Sequence, residues 1–302
     1  MGNLYQRFRI LRKNIKFLSK YNIYKLEQIF EKGGVEEFVD SYIDYEIKNG
    51  VGIDENNKLK VLDRCETIDL LLEQPKCLCR FGDGEVELMQ GNSIVFQKYD
   101  KDLADGLKNI LTNNIQNLYV GIAYTMFHSS REMLPCVREF NWSFGRIYRR
   151  FFLENANKSR TYIDAGFTIV SSNVKENVNL DSYYQKVKLL FQHKKITIFC
   201  GKGILDNLQY DVFELADEKK IVDCPKKDAF DKYDEILKKA VDEDRDRLLL
   251  FILGPTSKLL VYDLCKNGRL AWDLGHLAKD YDMYMRRIPK TTENIYRFFQ
   301  PD

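Results

Sequence analysis

Apolar residues recur at Leu4, Phe8, Leu11, Ile15 and Leu18, the spacing of one face of an amphipathic helix. A second helical stretch follows from Val35 to about Lys48, and Asn49-Gly50 and Glu55-Asn56-Asn57 read as turns. From about Asp63 the pattern changes to short apolar runs alternating with helical periods. Lys76–Phe81, Leu118–Ala123, Ile196–Cys200, Lys220–Cys224, Leu248–Leu253 and Arg269–Leu274 predict strands, and Thr161–Val170 has an extended, β-branched character. Cys65–Leu72, Leu103–Leu111, Tyr183–Phe191, Ala229–Val241 and Lys258–Cys265 predict helices, and Ser130–Glu154 is largely helical with an interruption near Asn141. Leu248–Leu253 is apolar throughout, as a strand buried on both faces requires. Strands alternating with helices predict βαβ units, hence an α/β domain over 61–302 with a mainly parallel sheet flanked by helices. Residues 1–60 are predicted to form a helical extension to it.

Charge changes this picture only at the N-terminus. The 47 Lys and Arg nearly balance the 45 Asp and Glu, giving a net +2, which does not call for a nucleic-acid partner. Between Arg7 and Lys25, however, seven basic residues occur with no acid. A basic amphipathic helix suits an anionic membrane surface, although packing of its apolar stripe on its own domain or on a second subunit is the plainer reading. No run of about 18 apolar residues is present, so no membrane span is expected. The N-terminus lacks the apolar core of a signal peptide, and Gln6 stands where a myristoylation signal requires Ser or Thr. The seven cysteines fit no four-ligand zinc spacing; Cys77-x-Cys79 lies in a predicted strand and reads as buried thiols rather than a metal pair. Reduced thiols point to the cytoplasm, with peripheral contact at the inner membrane face through the basic helix.

Parallel α/β sheets bind ligands beyond the carboxyl ends of their strands, so the residues that follow each strand matter most. Those segments are Gly82-Asp83-Gly84-Glu85, Gly201-Lys202-Gly203, Gly254-Pro255-Thr256-Ser257 and Gly275-His276. Each joins glycine to a polar or charged group, and together they predict a polar cleft. Asp83 and Glu85 flank a glycine and offer hard oxygen ligands for one Mg²⁺ or Mn²⁺, with Arg80 upstream suited to a phosphate–metal cluster. The same acids would serve as a helix start, and Arg80 as their ion-pair partner. Pro255 suits a first helical position, where free amides favour a phosphate, although an ordinary helix start reads the same way. His276 is open to three roles: metal ligand, phosphate contact or structural hydrogen bonder. The chain has neither a P-loop nor a G-x-G-x-x-G after a strand.

These segments resemble the GT-D-type glycosyltransferases, a family first catalogued as a domain of unknown function in bacterial glycan assembly. The resemblance begins with Arg80-Phe81-Gly82-Asp83-Gly84-Glu85 and Phe96-Gln97-x-Tyr99-Asp100. It continues through Ser159–Asp164 and Cys224–Asp234, and ends with Leu253–Ser257, Tyr262-Asp263-Leu264 and Asp273-Leu274-Gly275-His276. The blocks keep the family's order and span roughly Cys65 to Met285. The resemblance implies a Rossmann-like domain, a UDP-sugar donor, and Mn²⁺ or Mg²⁺ held by Asp83 and Glu85 against the donor diphosphate. It makes Arg80, Gly82, Arg160, Lys202, Gly254, Thr256 and Ser257 candidates for nucleotide-sugar contacts, with His276 facing the same cluster. Two positions depart from the family. Asp282 stands where the family usually has glutamate, and is the candidate base for the acceptor hydroxyl. Cys200-Gly201 replaces an acidic-glycine pair at the middle strand end.

The expected function is therefore metal-dependent transfer of a hexose from a UDP-sugar to a hydroxyl of a growing glycan carried on lipid or protein. Nucleotidyl or phosphoryl transfer would use the same paired acids and phosphate turns, and a non-catalytic nucleotide-sugar-binding module would share the cleft without the chemistry.

Overall fold

The apolar runs of the sequence all become strands of one sheet. A computed structural model describes residues 59–128, 132–143 and 145–300. The two helices predicted within residues 1–58 lie outside the described residues. In chain order the first elements are β1 (Lys60–Val61), α1 (Arg64–Glu73), β2 (Cys77–Phe81), α2 (Asp83–Met89), α3 (Lys101–Thr112) and β3 (Leu118–Ile122). Next come α4 (Pro135–Ser143), α5 (Gly145–Asn155), β4 (Thr161–Asp164), α6 (Val170–Asn173), α7 (Asp181–Leu189), β5 (Lys195–Gly201) and β6 (Glu218–Cys224). The last are α8 (Tyr233–Asp242), β7 (Leu248–Ile252), α9 (Thr256–Lys266), β8 (Ala271–Asp273), α10 (Leu277–Met285) and α11 (Thr292–Phe298).

The strands form a single eight-stranded sheet in the order β1-β4-β3-β2-β8-β7-β5-β6, parallel at every pairing. The fold is the expected α/β one, with helices flanking the sheet. Leu78, Phe81, Ile198, Phe199, Leu249 and Leu250 are fully buried, which is why the central strands carry apolar side chains on both faces. The polar residues at element starts are caps. Asp63 accepts the amides of Cys65 and Glu66 (2.8 Å each) while Glu66 returns to the Asp63 amide, and Asp100 accepts the amides of Asp102 and Leu103.

The extended character of Thr161–Val170 ends at Asp164, where the chain turns into a 3₁₀ segment, Ala165–Thr168, and then α6. Asp164 causes the turn: its Oδ1 accepts the Gly166 amide at 2.8 Å. The β-branched residues beyond it pack as helix because tertiary burial overrides propensity. Residues 125–154 fall in a second compact unit, while 59–124 and 155–302 belong to the sheet body. Within the former, Phe140 stacks on Tyr148, and Arg149 donates to the Met126 carbonyl.

Strand order locates the ligand crevice. The chain leaves β5 for β6 on one side, and leaves the adjacent β7 for β8 on the other. Adjacent strands whose connections depart in opposite directions create a switch point, and the crevice opens beyond their carboxyl ends. Gly201-Lys202 and Gly254-Pro255-Thr256 flank it, with the ends of β8 and β2 next along the edge.

Candidate active site

β2 delivers its chemistry within five residues of its end. Arg80 is the last polar side chain of the strand, Gly82 is extended, and α2 begins at Asp83. Glu85 turns back so that its Oε2 accepts the Gly82 amide at 2.8 Å, the return half of a capping box. That bond leaves Glu85 buried at 7 % exposure, whereas Asp83, at the first helical position, is exposed. Both acids favour the positive end of the helix.

Beneath Asp83 lies a buried ionic network whose charges come from β2, α2, α9 and β8. Arg80 Nε donates to the Asp273 carbonyl (3.0 Å), Nη1 to Ala165 O (3.2 Å) and Thr168 Oγ1 (2.6 Å), and Nη2 to Asp273 Oδ1 (3.3 Å). Asp273, at the end of β8, is fully buried and also accepts the Arg80 amide (3.1 Å). Lys258, in the first turn of α9, places Nζ 2.8 Å from Glu85 Oε1, 3.1 Å from Asp273 Oδ2 and 3.1 Å from the Gly254 carbonyl. Burial pushes the Asp273 carboxyl up, but Arg80 and Lys258 outweigh it and hold the group below the usual carboxylate range. Burial likewise works against charge on Lys258, and Asp273 and Glu85 overcome it, so its ammonium is held above the ordinary lysine value.

The donor set suits a hard cation in part. Loss of hydration, and then the neighbouring Glu85 carboxylate, push the Asp83 carboxyl above its ordinary value even though the residue is open to solvent. No cationic side chain among the described residues pairs with Asp83, so a divalent ion there would relieve its repulsion from Glu85. Glu85 already has both oxygens engaged. Among the described residues no group of three or more His, Cys, Asp or Glu is placed to hold a metal ion. The remaining ligands of a cation at Asp83 would have to be water and phosphate oxygens, the usual arrangement for Mg²⁺.

The structure brings most of the expected residues to one edge. Arg80, Gly82, Asp83 and Glu85 stand at the end of β2, Gly254, Thr256 and Ser257 at the end of β7, and His276 beyond β8. Their side chains differ in availability. Thr256 Oγ1 donates to Gln97 Oε1 (3.2 Å), Ser257 Oγ accepts the Leu253 amide (3.0 Å), and both residues are fully buried. Their part at the cleft is thus to shape the turn, while half-buried Gly254, at φ +56°, makes the bend and turns its carbonyl to Lys258. His276 stands among Phe96, Phe298 and Phe299, with ring centroids 6.3, 5.3 and 5.8 Å away. Lys202 is exposed at the end of β5.

Two expectations are corrected. Arg160 precedes β4, and in a parallel sheet the residue before a strand lies at the edge opposite the cleft. There its Nη1 donates to Ile110 O (3.2 Å) and its Nη2 to Asn113 O, tying down the carboxyl end of α3. Arg160→Gln is therefore expected to lower stability by about 1–3 kcal/mol in urea titration and to leave the KM for donor unchanged. Asp282, the expected base, is buried at 3 % exposure. Its Oδ1 accepts the amides of Gln209 (2.8 Å) and Tyr210 (3.1 Å), and its Oδ2 pairs with Arg286 (3.2 Å). Those bonds pin the β5–β6 connection to α10, and they leave a buried carboxylate engaged at both oxygens rather than one free to face a substrate.

Reading the chain gave no role to Lys258, Asp273, Gln97 or Thr168, although Gln97 and Asp273 lie within the blocks of the resemblance. Lys258 alone carried a local signal, since a lysine in the first turn of an apolar helix opposes the helix dipole. Asp164 marks another buried acid at the cleft edge. Burial pushes its carboxyl up to about 6 from 3.8, partly countered by the Tyr124 and Gly166 amides. Its folded value is the higher one, so its contribution to stability is fully present below pH 3.8 and is lost as pH rises through 6. Asp164→Asn is expected to flatten that fall, as read by melting temperature across the interval.

A profile of the glycosyltransferase GT-D fold matches residues 78–296. The chain is 29 % identical over 246 residues to "Probable glycosyl transferase Gly" of Streptococcus gordonii, covering 78 % of this chain and 35 % of that protein. It is 28 % identical over 234 residues to "Glycosyltransferase GlyD" of Streptococcus pneumoniae serotype 4, covering 75 % and 28 % respectively. The chain thus spans about a third of the length of these curated relatives. Among solved structures it is similar to one described as showing that the highly conserved domain of unknown function 1792 has a distinct glycosyltransferase fold. That similarity has TM-score 0.71 and 31 % identity, covering 77 % of this chain and 83 % of that one. A second, described as a new glycosyltransferase from Streptococcus sanguinis, has TM-score 0.70 and 28 % identity, covering 81 % and 93 %. The strand-end blocks, the parallel sheet and a family match across well over half of its length agree: the chain belongs to the glycosyltransferase GT-D fold family.

Proposed function

We propose that this chain is a metal-dependent glycosyltransferase that moves a hexose from a UDP-sugar to a hydroxyl of a growing glycan. The observation that carries this reading is the carboxylate of the exposed residue Asp83, at the start of α2 beside Glu85 and with no cationic partner among the described residues, at the same sheet edge as the Gly254 turn. A nucleoside diphosphate needs charge neutralisation on one side and backbone donors or a polar turn on the other, and this edge presents both.

Asp83, with Glu85 two residues on, would hold Mn²⁺ or Mg²⁺. The cation supplies Lewis-acid stabilisation of charge developing on the departing UDP. The chain's own part is rigid placement. Arg80 and Asp273 lock the end of β2 to that of β8, so Asp83 is presented at a fixed height above the sheet. Gln97 ties the 91–100 loop to Thr256, which sets Phe96 near Gly254 as one wall of the cleft. The basic segment Arg7–Lys25 favours an acceptor carried on lipid at an anionic surface. No helix among the described residues is long and apolar enough to cross a membrane.

The test is incubation with a panel of nucleotide sugars and Mn²⁺, following UDP by mass. Slow UDP formation without acceptor, accelerated by glycan acceptors and lost on chelation, is the expected result. Release of pyrophosphate in place of UDP, or tight donor binding with no turnover under any acceptor, would sink this reading.

A further inference from the structure

The buried charges under the cleft are balanced. Arg80 and Lys258 supply two positive charges, Asp273 and Glu85 two negative ones, and all four side chains are at most 11 % exposed. Asp83 stands outside this set as the surplus carboxylate. An ammonium has three donors, and Lys258 spends them on Glu85 Oε1, Asp273 Oδ2 and the Gly254 carbonyl. Glu85 in turn has Oε1 on Lys258 and Oε2 on the Gly82 amide. A cation on Glu85 is therefore already in place, and it belongs to the protein.

We propose that Lys258 is a positioning residue that reserves Glu85 in the donor-free protein, so that the divalent ion is held through Asp83 alone until the donor diphosphate completes its coordination. This rests on the metal-dependent reading above and assigns the two acids different tasks. A free dication approaching Glu85 meets the Lys258 ammonium, and displacing it would leave a buried charge with one partner fewer. Asp83 offers a single carboxylate with no cationic partner among the described residues, too little for tight binding of a hard ion with several oxygen ligands. Metal and nucleoside diphosphate then bind cooperatively, each supplying what the other lacks. The position of Lys258 within α9 follows the same logic. A cation at the positive end of a helix is unfavourable, and here two carboxylates hold it there.

The experiment is Mn²⁺ binding to the full chain, read from the free-ion signal in electron paramagnetic resonance, with and without UDP. Wild type is expected to bind weakly alone and about tenfold or more tightly with UDP. Lys258→Met frees Glu85 as a second ligand and should raise nucleotide-free affinity by about tenfold. Should Lys258→Met fail to fold, Lys258→Gln keeps a neutral donor at Glu85 and carries the same expectation in direction. Glu85→Gln should leave nucleotide-free affinity within about twofold, while Asp83→Asn removes it. Unchanged or weaker binding in the Lys258 variant, or loss in Glu85→Gln equal to that in Asp83→Asn, would overturn the inference while the metal-dependent reading stands. No Mn²⁺ binding by wild type even with UDP would overturn both.

Discussion

Asp83→Asn removes UDP release from a nucleotide sugar by about 10²-fold or more, the scale on which single charge-stabilising groups act, and leaves the fold intact. The two halves of this expectation have separate causes. Asp83 is an exposed residue at the start of α2 and no cationic partner among the described residues depends on its carboxylate, so its loss uncovers no buried charge. Desolvation and the adjacent Glu85 already raise its proton affinity, which means the ionised form is held against a local penalty. Neutral asparagine keeps the shape and the helix start without that penalty. The melting temperature should therefore stay level or rise, the pattern of a group retained for function at some cost in stability. A variant that loses activity and melts lower would instead mark Asp83 as structural.

Gly275→Ala is expected to destabilise the protein by about 3 kcal/mol or more, measured as a lower urea midpoint at constant slope. Gly275 has φ +49°, and a Cβ there would lie 1.8 Å from Arg80 Nη2 and 2.8 Å from its Cζ. The guanidinium cannot step aside, because Thr168, Ala165 and the Asp273 carbonyl and carboxylate hold it. Displacing it would leave fully buried Asp273 with Lys258 as its remaining cation. Gly268→Ala is the control. It shares the positive φ, +67°, but its Cβ would meet nothing within 4 Å. Only the left-handed backbone penalty applies there, about 1–2 kcal/mol. Equal losses in the two variants would show that the contact with Arg80 carries no weight.

Gly275 also illustrates how far local reading reaches. Glycine before His276 marked a turn at a strand end, and that was correct. That the missing side chain makes room for an arginine nearly 200 residues earlier is a property of β2 lying beside β8. Asp282 shows the opposite failure: its acidity pointed to a base, but the amides of Gln209 and Tyr210 that consume it come from another connection.

The sequence by itself determined the class of fold and the edge of the sheet on which to look. Runs such as Leu248–Ile252 are apolar at every position because helices cover both faces, and glycines with polar residues follow the strands because the chain must turn there. Both are consequences of neighbouring residues. Tertiary structure alone decided which strands are adjacent, hence where the switch point lies, and which charges are spent within the protein. Arg80, Lys258, Glu85 and Asp273 read along the chain as four separate ionisable residues. Folding removes them from water, and buried charges must find opposite partners, so the four become internal counter-ions of one another, while Asp83 is left outside the set.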